Sequence, residues 1–435
     1  MTAQDFLPGL SIMGLLLVFL VLRIPIAFAL AGAGVVGLAN ARPWPAVEYL
    51  LSTFAYGATA NFAYVVLPLF LFMGHMAFSA GLSKSAFEAG QTWLGRIPGG
   101  LAAATVFGCA AFSTICGSSV ATASTMSRVA LPEMLRQGYM ARLAAGCIAA
   151  GGTLGVLIPP SGVLVVYAIM TDVSLVKLFV AAFVPGVMTA IIYIAGIYFW
   201  VKLKPELAPS QVGIRPPTWG EKFKALGHTW ELLVLFLAVM GTIYLGVATP
   251  TEAAAMGAFF SLIAVLRRPN RLENVLTGLR ETAAATCSIF ALVIGAGLFS
   301  LGLATTQFPT KLATLVTELN WSQTSTILII LIPYLILGCF VDGLSMILIT
   351  MPIVFPIVTK IGFSGVLFGL LVTKMVEIGA ITPPVGLNAF VVKSMAPDVP
   401  LGEVFKGCLP FVIMELIIVS LMIAFPQISL FLLSE

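Results

Sequence analysis

The stretch Gly152-Thr153-Leu154-Gly155-Val156-Leu157-Ile158-Pro159-Pro160-Ser161 sits in the middle of a long apolar segment, and a second one, Gly379-Ala380-Ile381-Thr382-Pro383-Pro384-Val385-Gly386-Leu387-Asn388, does the same later in the chain. Proline carries no N–H and clashes with the carbonyl four residues back, so each pair opens a helix at mid-length. With a shift of 224 residues the two stretches superpose without a gap: Pro132 falls on Pro356, Gly138 on Gly362, Gly155 on Gly379, Pro159-Pro160 on Pro383-Pro384 and Gly162 on Gly386. Glycine and proline fix backbone geometry, so matched positions predict a matched path, that is, an internal repeat.

Composition sets the solvent. Of 435 residues, 60% are hydrophobic and 9% charged, and mean hydropathy is +1.07. A soluble domain carries about 25% charged residues, so the chain is expected to live in a bilayer. A span needs about 20 apolar residues. Full spans are predicted at 8–22, 24–40, 61–80, 140–169, 175–203, 229–247, 250–266, 284–303, 365–395 and 404–432. Met1–Phe6 lacks Lys and Arg and no cleavage site follows, so the first span is expected to be retained. Two further stretches, 99–137 and 322–362, break at Ser113–Ser119 and at Gly338–Gly343, and are read as re-entrant hairpins. Amphipathic arms are expected at 42–54, 82–94 and 271–286, and a polar connector with four prolines at 204–227.

With the N-terminus outside, sixteen of the 22 basic residues fall on the cytoplasmic side. Four, Arg42, Lys177, Lys311 and Lys360, fall outside, and Arg128 and Lys374 stay within membrane segments. This bias obeys the positive-inside rule. The first hairpin then opens inward and the second outward, an inverted-topology repeat of the sort that builds secondary transporters. The fold class expected is an all-α polytopic membrane protein with two re-entrant hairpins and two broken helices.

The breaks suggest the chemistry. Carbonyls before each proline pair lose their helical donors, and bare carbonyls in hydrocarbon cost several kcal/mol unless something binds them. A dehydrated cation can do so, while the N–H end of the second half-helix suits an anion. Each tip supplies further ligands. Gly117, Ser118, Ser119 and Thr122, with Gly155 and Pro159 at the break, are candidates for a first Na⁺ site. Gly338, Asp342 and Gly343, with Thr382 and Pro383, are candidates for a second. An organic anion is expected between them, near Ser118, Ser119, Ser161, Thr382 and Asn388. For Lys374 and Glu377, three apart on one helix face, a buried structural pair and a coupling role are both open. Arg128 is read as structural.

Other classes fit poorly. The six cysteines show no C-x₂-C spacing and read as buried reduced thiols; the only histidines are His75 and His228. No nucleotide-binding loop or hydrolase motif appears, so an ATP-driven pump and a membrane enzyme are disfavoured. A channel does not account for two inverted hairpins.

Ser118-Ser119-Val120-Ala121-Thr122, the Gly152–Ser161 stretch and Glu377–Asn388 together resemble the large membrane subunit of the tripartite ATP-independent periplasmic (TRAP) transporters. The resemblance covers essentially the whole chain, with Cys116 departing from the serine expected at the first tip. It implies a Na⁺-driven elevator in a bacterial inner membrane, N-terminus periplasmic. Its transport domain would be 99–203 and 322–435, and its scaffold 1–98 and 204–321. It also implies a small membrane subunit of about four spans, a periplasmic binding protein and a small organic acid as substrate. The alternative is a stand-alone Na⁺/dicarboxylate or citrate symporter of similar fold.

Overall fold

The computed structural model describes residues 3–209 and 217–433; the middle of the proline-rich connector, 210–216 with Arg215, lies outside the described residues. Every regular element among the described residues is helical. The first half runs α1 (Leu7–Val21), α2 (Ile26–Ala41), α3 (Trp44–Thr59), α4 (Val66–Ser79), α5 (Leu82–Leu94), α6 (Gly100–Cys116), α7 (Ser119–Val129), α8 (Leu131–Arg136), α9 (Ala141–Leu157), α10 (Gly162–Thr171) and α11 (Leu175–Leu203). After the connector come α12 (Trp219–Gly227), α13 (Trp230–Phe236), α14 (Thr242–Tyr244) and α15 (Pro250–Leu266). They are followed by α16 (Arg271–Thr305), α17 (Phe308–Glu318), α18 (Gln323–Gly338), α19 (Gly343–Lys360), α20 (Gly365–Ala380), α21 (Leu387–Met395), α22 (Leu401–Ala424) and the short α23 (Gln427–Leu430).

Six of these helical stretches are long and apolar enough to cross a membrane, and α12 with the Trp230–Tyr244 stretch forms a further pair bent by 55°. The outer surface is apolar as well: Val21 is 81% exposed, Tyr56 79% and Leu203 82%. In water such a surface would aggregate; in hydrocarbon it is at home. Between helices the contacts rest on small residues. A Cβ on Gly90 of α5 would come within 2.9 Å of the Ala104 carbonyl on α6. Gly34 of α2 meets the backbone at Leu298 and Phe299 of α16, and Gly146 of α9 meets Gly407 of α22. Lipid tails give no hydrophobic drive between helices, so close approach of backbones has to supply it.

Both proline pairs break their helix where the sequence places them. α9 stops at Leu157, Ile158 is extended, and Ser161 caps α10 by accepting from the Leu164 N–H at 3.3 Å. α20 stops at Ala380 and the chain resumes helical at Leu387, after Gly386 in the left-handed region. The two hairpins are likewise matched. α6 ends on Gly117 (φ 66), and Ser118 caps α7. Asp342 caps α19 by accepting from the Ser345 N–H at 3.1 Å. The aligned glycines Gly138 and Gly362 both have positive φ, 86 and 71.

Two expectations change. The arm 271–286 and the span 284–303 are one helix of 35 residues, α16. Arg280–Ala285 contains neither Gly nor Pro, so nothing stops the helix between its polar and apolar parts. An amphipathic helix not expected from the sequence, α17, follows it, tied by Lys360 Nζ to Thr314 at 2.6 Å and by Lys311 Nζ to the Asp5 carbonyl at 3.1 Å. Five cysteines are buried and free as expected, but Cys287 on α16 is exposed.

Candidate functional site

The two hairpin tips face one cavity. Gly117, Ser118 and Ser119 from the first, and Asp342 and Gly343 from the second, line one cavity of about 360 Å³. Its floor includes Val156 just before the first break and Gly162 just after it. Its opposite wall comes from Leu67, Phe70 and Leu71 of α4 and from Ser288, Ile289 and Leu292 of α16. The size suits a small organic molecule, and a mainly apolar lining with a few converging polar groups is the usual build of such a site.

Each tip is pressed against the break of its own repeat. A Cβ on Gly155 would stand 2.5 Å from the Ser118 carbonyl and 2.7 Å from Thr122 Oγ1. Gly379, its partner at the 224-residue shift, abuts the backbone of Gly338 in the second hairpin. After each break the aligned glycine N–H donates to a tip carbonyl: Gly162 to Gly117 at 3.3 Å, and Gly386 to Cys339 at 3.3 Å. At the first break the helical donors opposite the Gly155 and Val156 carbonyls are the nitrogens of Pro159 and Pro160, which carry no hydrogen. Carbonyls and hydroxyls are thus gathered within a few ångströms, the hard-oxygen donor set that alkali and alkaline-earth cations take.

The expected site residues divide. Gly117, Ser118, Ser119, Asp342 and Gly343 line the shared cavity. Thr122, fully buried, donates to the Ser118 carbonyl at 2.8 Å, and Thr382 to the Ile378 carbonyl at 2.6 Å. Pro159 is buried and Pro383 exposed. Ser161 and Asn388 are completely buried and do not line the cavity: Ser161 is taken up as a cap, and Asn388 Nδ2 donates to the Ala149 carbonyl at 3.2 Å, leaving its Oδ1 without a partner. Arg128 stacks over Phe78 at 5.8 Å and lines a neighbouring cavity of about 400 Å³, together with His75 and Glu281, which pair at 2.9 Å. Lys374 and Glu377 are a buried pair, as one sequence reading has it, and they are joined by Glu415 on α22. Glu415 was not singled out from the sequence. The signal was there, since a lone carboxylate inside the apolar run 404–432 marks a functional or paired group.

Comparison with known proteins places the chain in a family. The profile of the family described as "Tripartite ATP-independent periplasmic transporter, DctM component" matches residues 13–428. The chain belongs to the DctM family. It is therefore a TRAP-type large permease subunit, a multi-span membrane transporter protein. The C4-dicarboxylate TRAP transporter large permease DctM of Pseudomonas aeruginosa is 36% identical over 378 residues, covering 86% of this chain and 87% of the relative. The sialic acid TRAP transporter large permease SiaM of Vibrio cholerae is 29% identical, with the same coverage. The isethionate TRAP permease DctMQ of Oleidesulfovibrio alaskensis is 31% identical over 98% of this chain and 67% of the relative. Among solved structures, the YdaH transporter of Alcanivorax borkumensis shares the fold of this DctM chain, with a TM-score of 0.62 at 16% identity over 87% of this chain and 88% of that one.

Proposed function

We propose that the chain is the permease of a Na⁺-coupled secondary transporter that imports a small organic acid anion, with Na⁺ held at each tip-and-break pair and the anion in the cavity between them. The observation that carries this reading is the single cavity lined by both hairpin tips. A cation at each break offsets the carbonyls that proline leaves without donors, and two cations flanking one cavity attract an anion into it. The C4-dicarboxylate, sialic acid and isethionate relatives name substrates that each carry a carboxylate or sulfonate.

The mechanical reading is an elevator. Residues 99–203 and 322–435 form the moving transport domain, and 1–98 and 204–321 the scaffold. In support, the cavity's wall is made of scaffold helices α4 and α16 while its floor and tips belong to the other unit. Movement along that boundary would carry the cavity from one membrane face to the other. The hairpins are re-entrant and of opposite sense, the membrane is a bacterial inner membrane, and the N-terminus is periplasmic. The partners are a small membrane subunit and a periplasmic binding protein. The fused isethionate relative supports the first partner, since a third of its length lies beyond the match.

The test is uptake by proteoliposomes holding the chain with its partners. Labelled organic acid is expected to accumulate under an inward Na⁺ gradient and not when K⁺ replaces Na⁺. Equal uptake in the K⁺ buffer refutes Na⁺ coupling.

A further inference from the structure

Behind the second break lies a charged cluster that the transport reading leaves unused. Lys374 and Glu377 on α20 and Glu415 on α22 are all 0% exposed. Lys374 Nζ donates to Glu377 Oε2 at 3.0 Å, to Glu415 Oε1 at 3.2 Å and to Thr189 Oγ1 of α11 at 2.8 Å. Glu415 Oε2 is also 3.0 Å from the ammonium, outside hydrogen-bond geometry. Tyr193, also on α11, donates to Glu415 Oε1 at 2.5 Å.

One ammonium faces two carboxylates, so the fully ionised cluster carries a net charge of −1. Among the described residues no other cation pairs with either carboxylate. Most other titratable side chains on the helices packed around α20 are engaged elsewhere; Arg142 pairs with Glu206 and Lys406 with Glu403, and neither Lys177 nor Cys408 pairs with the cluster. Tyr167 donates to the Gly365 carbonyl, Tyr334 to Thr350, Lys393 to the Pro397 carbonyl, and Asp342 accepts from Ser345. Lys360 is held by Thr314, and the Cys147 and Cys339 thiols donate to backbone carbonyls of their own helices. An uncompensated charge so deep costs several kcal/mol, which a bound positive charge removes. The ammonium already occupies the position between the carboxylates, so a metal ion has no room there, whereas a proton needs none. The two acids are also unequal: Glu415 has two donors, while Glu377 has one and its Oε1 has no partner.

We propose that this cluster is a proton-binding site, with one proton resident on Glu377 and Lys374 paired to ionised Glu415. The proton comes from water and neutralises the cluster. Its presence follows from the count of buried charges and its place from the donors, so the inference goes beyond the Na⁺ reading and stands whether or not that reading holds. Glu377 lies two residues before Gly379, where α20 touches the second hairpin, so the proton's presence sets the charge one turn from that break.

Infrared spectroscopy of the full-length protein in lipid, in H₂O and D₂O at neutral pH, tests this. The carbonyl-stretch band of a protonated carboxylic acid is expected in the wild type. It should vanish in E377Q and in E415Q, because each leaves one ammonium with one carboxylate. K374Q, which leaves two carboxylates and no cation, should strengthen it. E377D should move the band and E415D should not. Absence of the band in the wild type, or an undiminished band in both Gln variants, overturns the site; a band moved by E415D instead overturns the assignment to Glu377. Should K374Q fail to fold, the isosteric Gln and conservative Asp variants still decide the outcome.

Discussion

The two repeats share a path and differ in charge. In the first, Ile158–Ser161 is entirely buried, the tip offers Gly117, Ser118 and Ser119, and no charged side chain stands among them. In the second, Pro383 and Pro384 are exposed, the tip carries Asp342, and three fully buried ionisable groups lie behind the break. The second break is also tighter: the Ile381 and Thr382 N–H groups bond back to Ile378 and Gly379 at 3.2 and 3.1 Å. At the first, the aligned Ile158 N–H keeps the ordinary α-helical bond, to the Leu154 carbonyl four residues back at 2.9 Å. Geometry is thus kept by the residues that set the backbone, and charge is free to diverge. On the proposed reading the first site is built from backbone and hydroxyl oxygens, and the second adds a carboxylate.

The largest expected effect tests that asymmetry. Asp342→Ala should reduce Na⁺-driven uptake to background, since it removes the only carboxylate at either tip. Asp342→Asn separates the two jobs of this side chain. Asparagine caps a helix about as well as aspartate, so α19 should keep its start. Uptake should nevertheless be lost in both variants. If Asp342→Asn transports like the wild type, the carboxylate is only a cap and the two tips are chemically equivalent.

Next come the matched glycines, which probe what the repeats share. A Cβ on Gly155 meets the Ser118 carbonyl at 2.5 Å, and Gly379 leaves no more room against Gly338. Overpacking of this kind costs about 1–3 kcal/mol. Gly155→Ala and Gly379→Ala should therefore lower the thermal midpoint comparably and weaken the Na⁺ dependence of uptake. A variant pair in which only one is harmed would mean that the tips are not equally seated on their breaks.

Much of this was legible because glycine and proline act locally. Pro159-Pro160 and Pro383-Pro384 break a helix whatever surrounds them, and the glycines opposite the tips report contact through their missing side chains. The hairpin turns at Gly117 and Asp342 fell where small and capping residues interrupted an apolar run. What escaped was tertiary. Glu415 lies 38 residues beyond Glu377, and only the packing of α22 against α20 and α11 brings it to Lys374. Asn388 reads as a ligand by its place after the prolines, yet it is turned inward onto Ala149. Helix α16 ran further than expected because the junction between its polar and apolar parts, Arg280–Ala285, contains neither Gly nor Pro.

Ser118→Ala should have a moderate effect. It removes the acceptor for the Ala121 N–H, 3.4 Å away, and caps are worth about 0.5–2 kcal/mol. On the proposed reading it leaves the tip carbonyls in place, so the Na⁺ concentration for half-maximal uptake should rise about tenfold, the equivalent of about 1.4 kcal/mol. Complete loss, equal to that of Asp342→Ala, would show that the first site depends on a side chain as much as the second does.

The smallest effect is expected at Cys116, where the first tip departs from serine. Its sulfur is 3.9 Å from the Ser118 carbonyl, a weak contact, and the side chain is nearly buried. Cys116→Ser exchanges one small group for another without altering the backbone that turns at Gly117. Substitutions that touch no packing or charge feature stay within about 0.5 kcal/mol, so uptake and its Na⁺ dependence should change by no more than about twofold. The value of this variant lies in what a large response would mean. A shift of Na⁺ affinity as great as that of Ser118→Ala would put the residue 116 side chain among the ligands. The first site would then owe its affinity to side-chain chemistry, and the contrast between an uncharged backbone site and a carboxylate site would have to be redrawn.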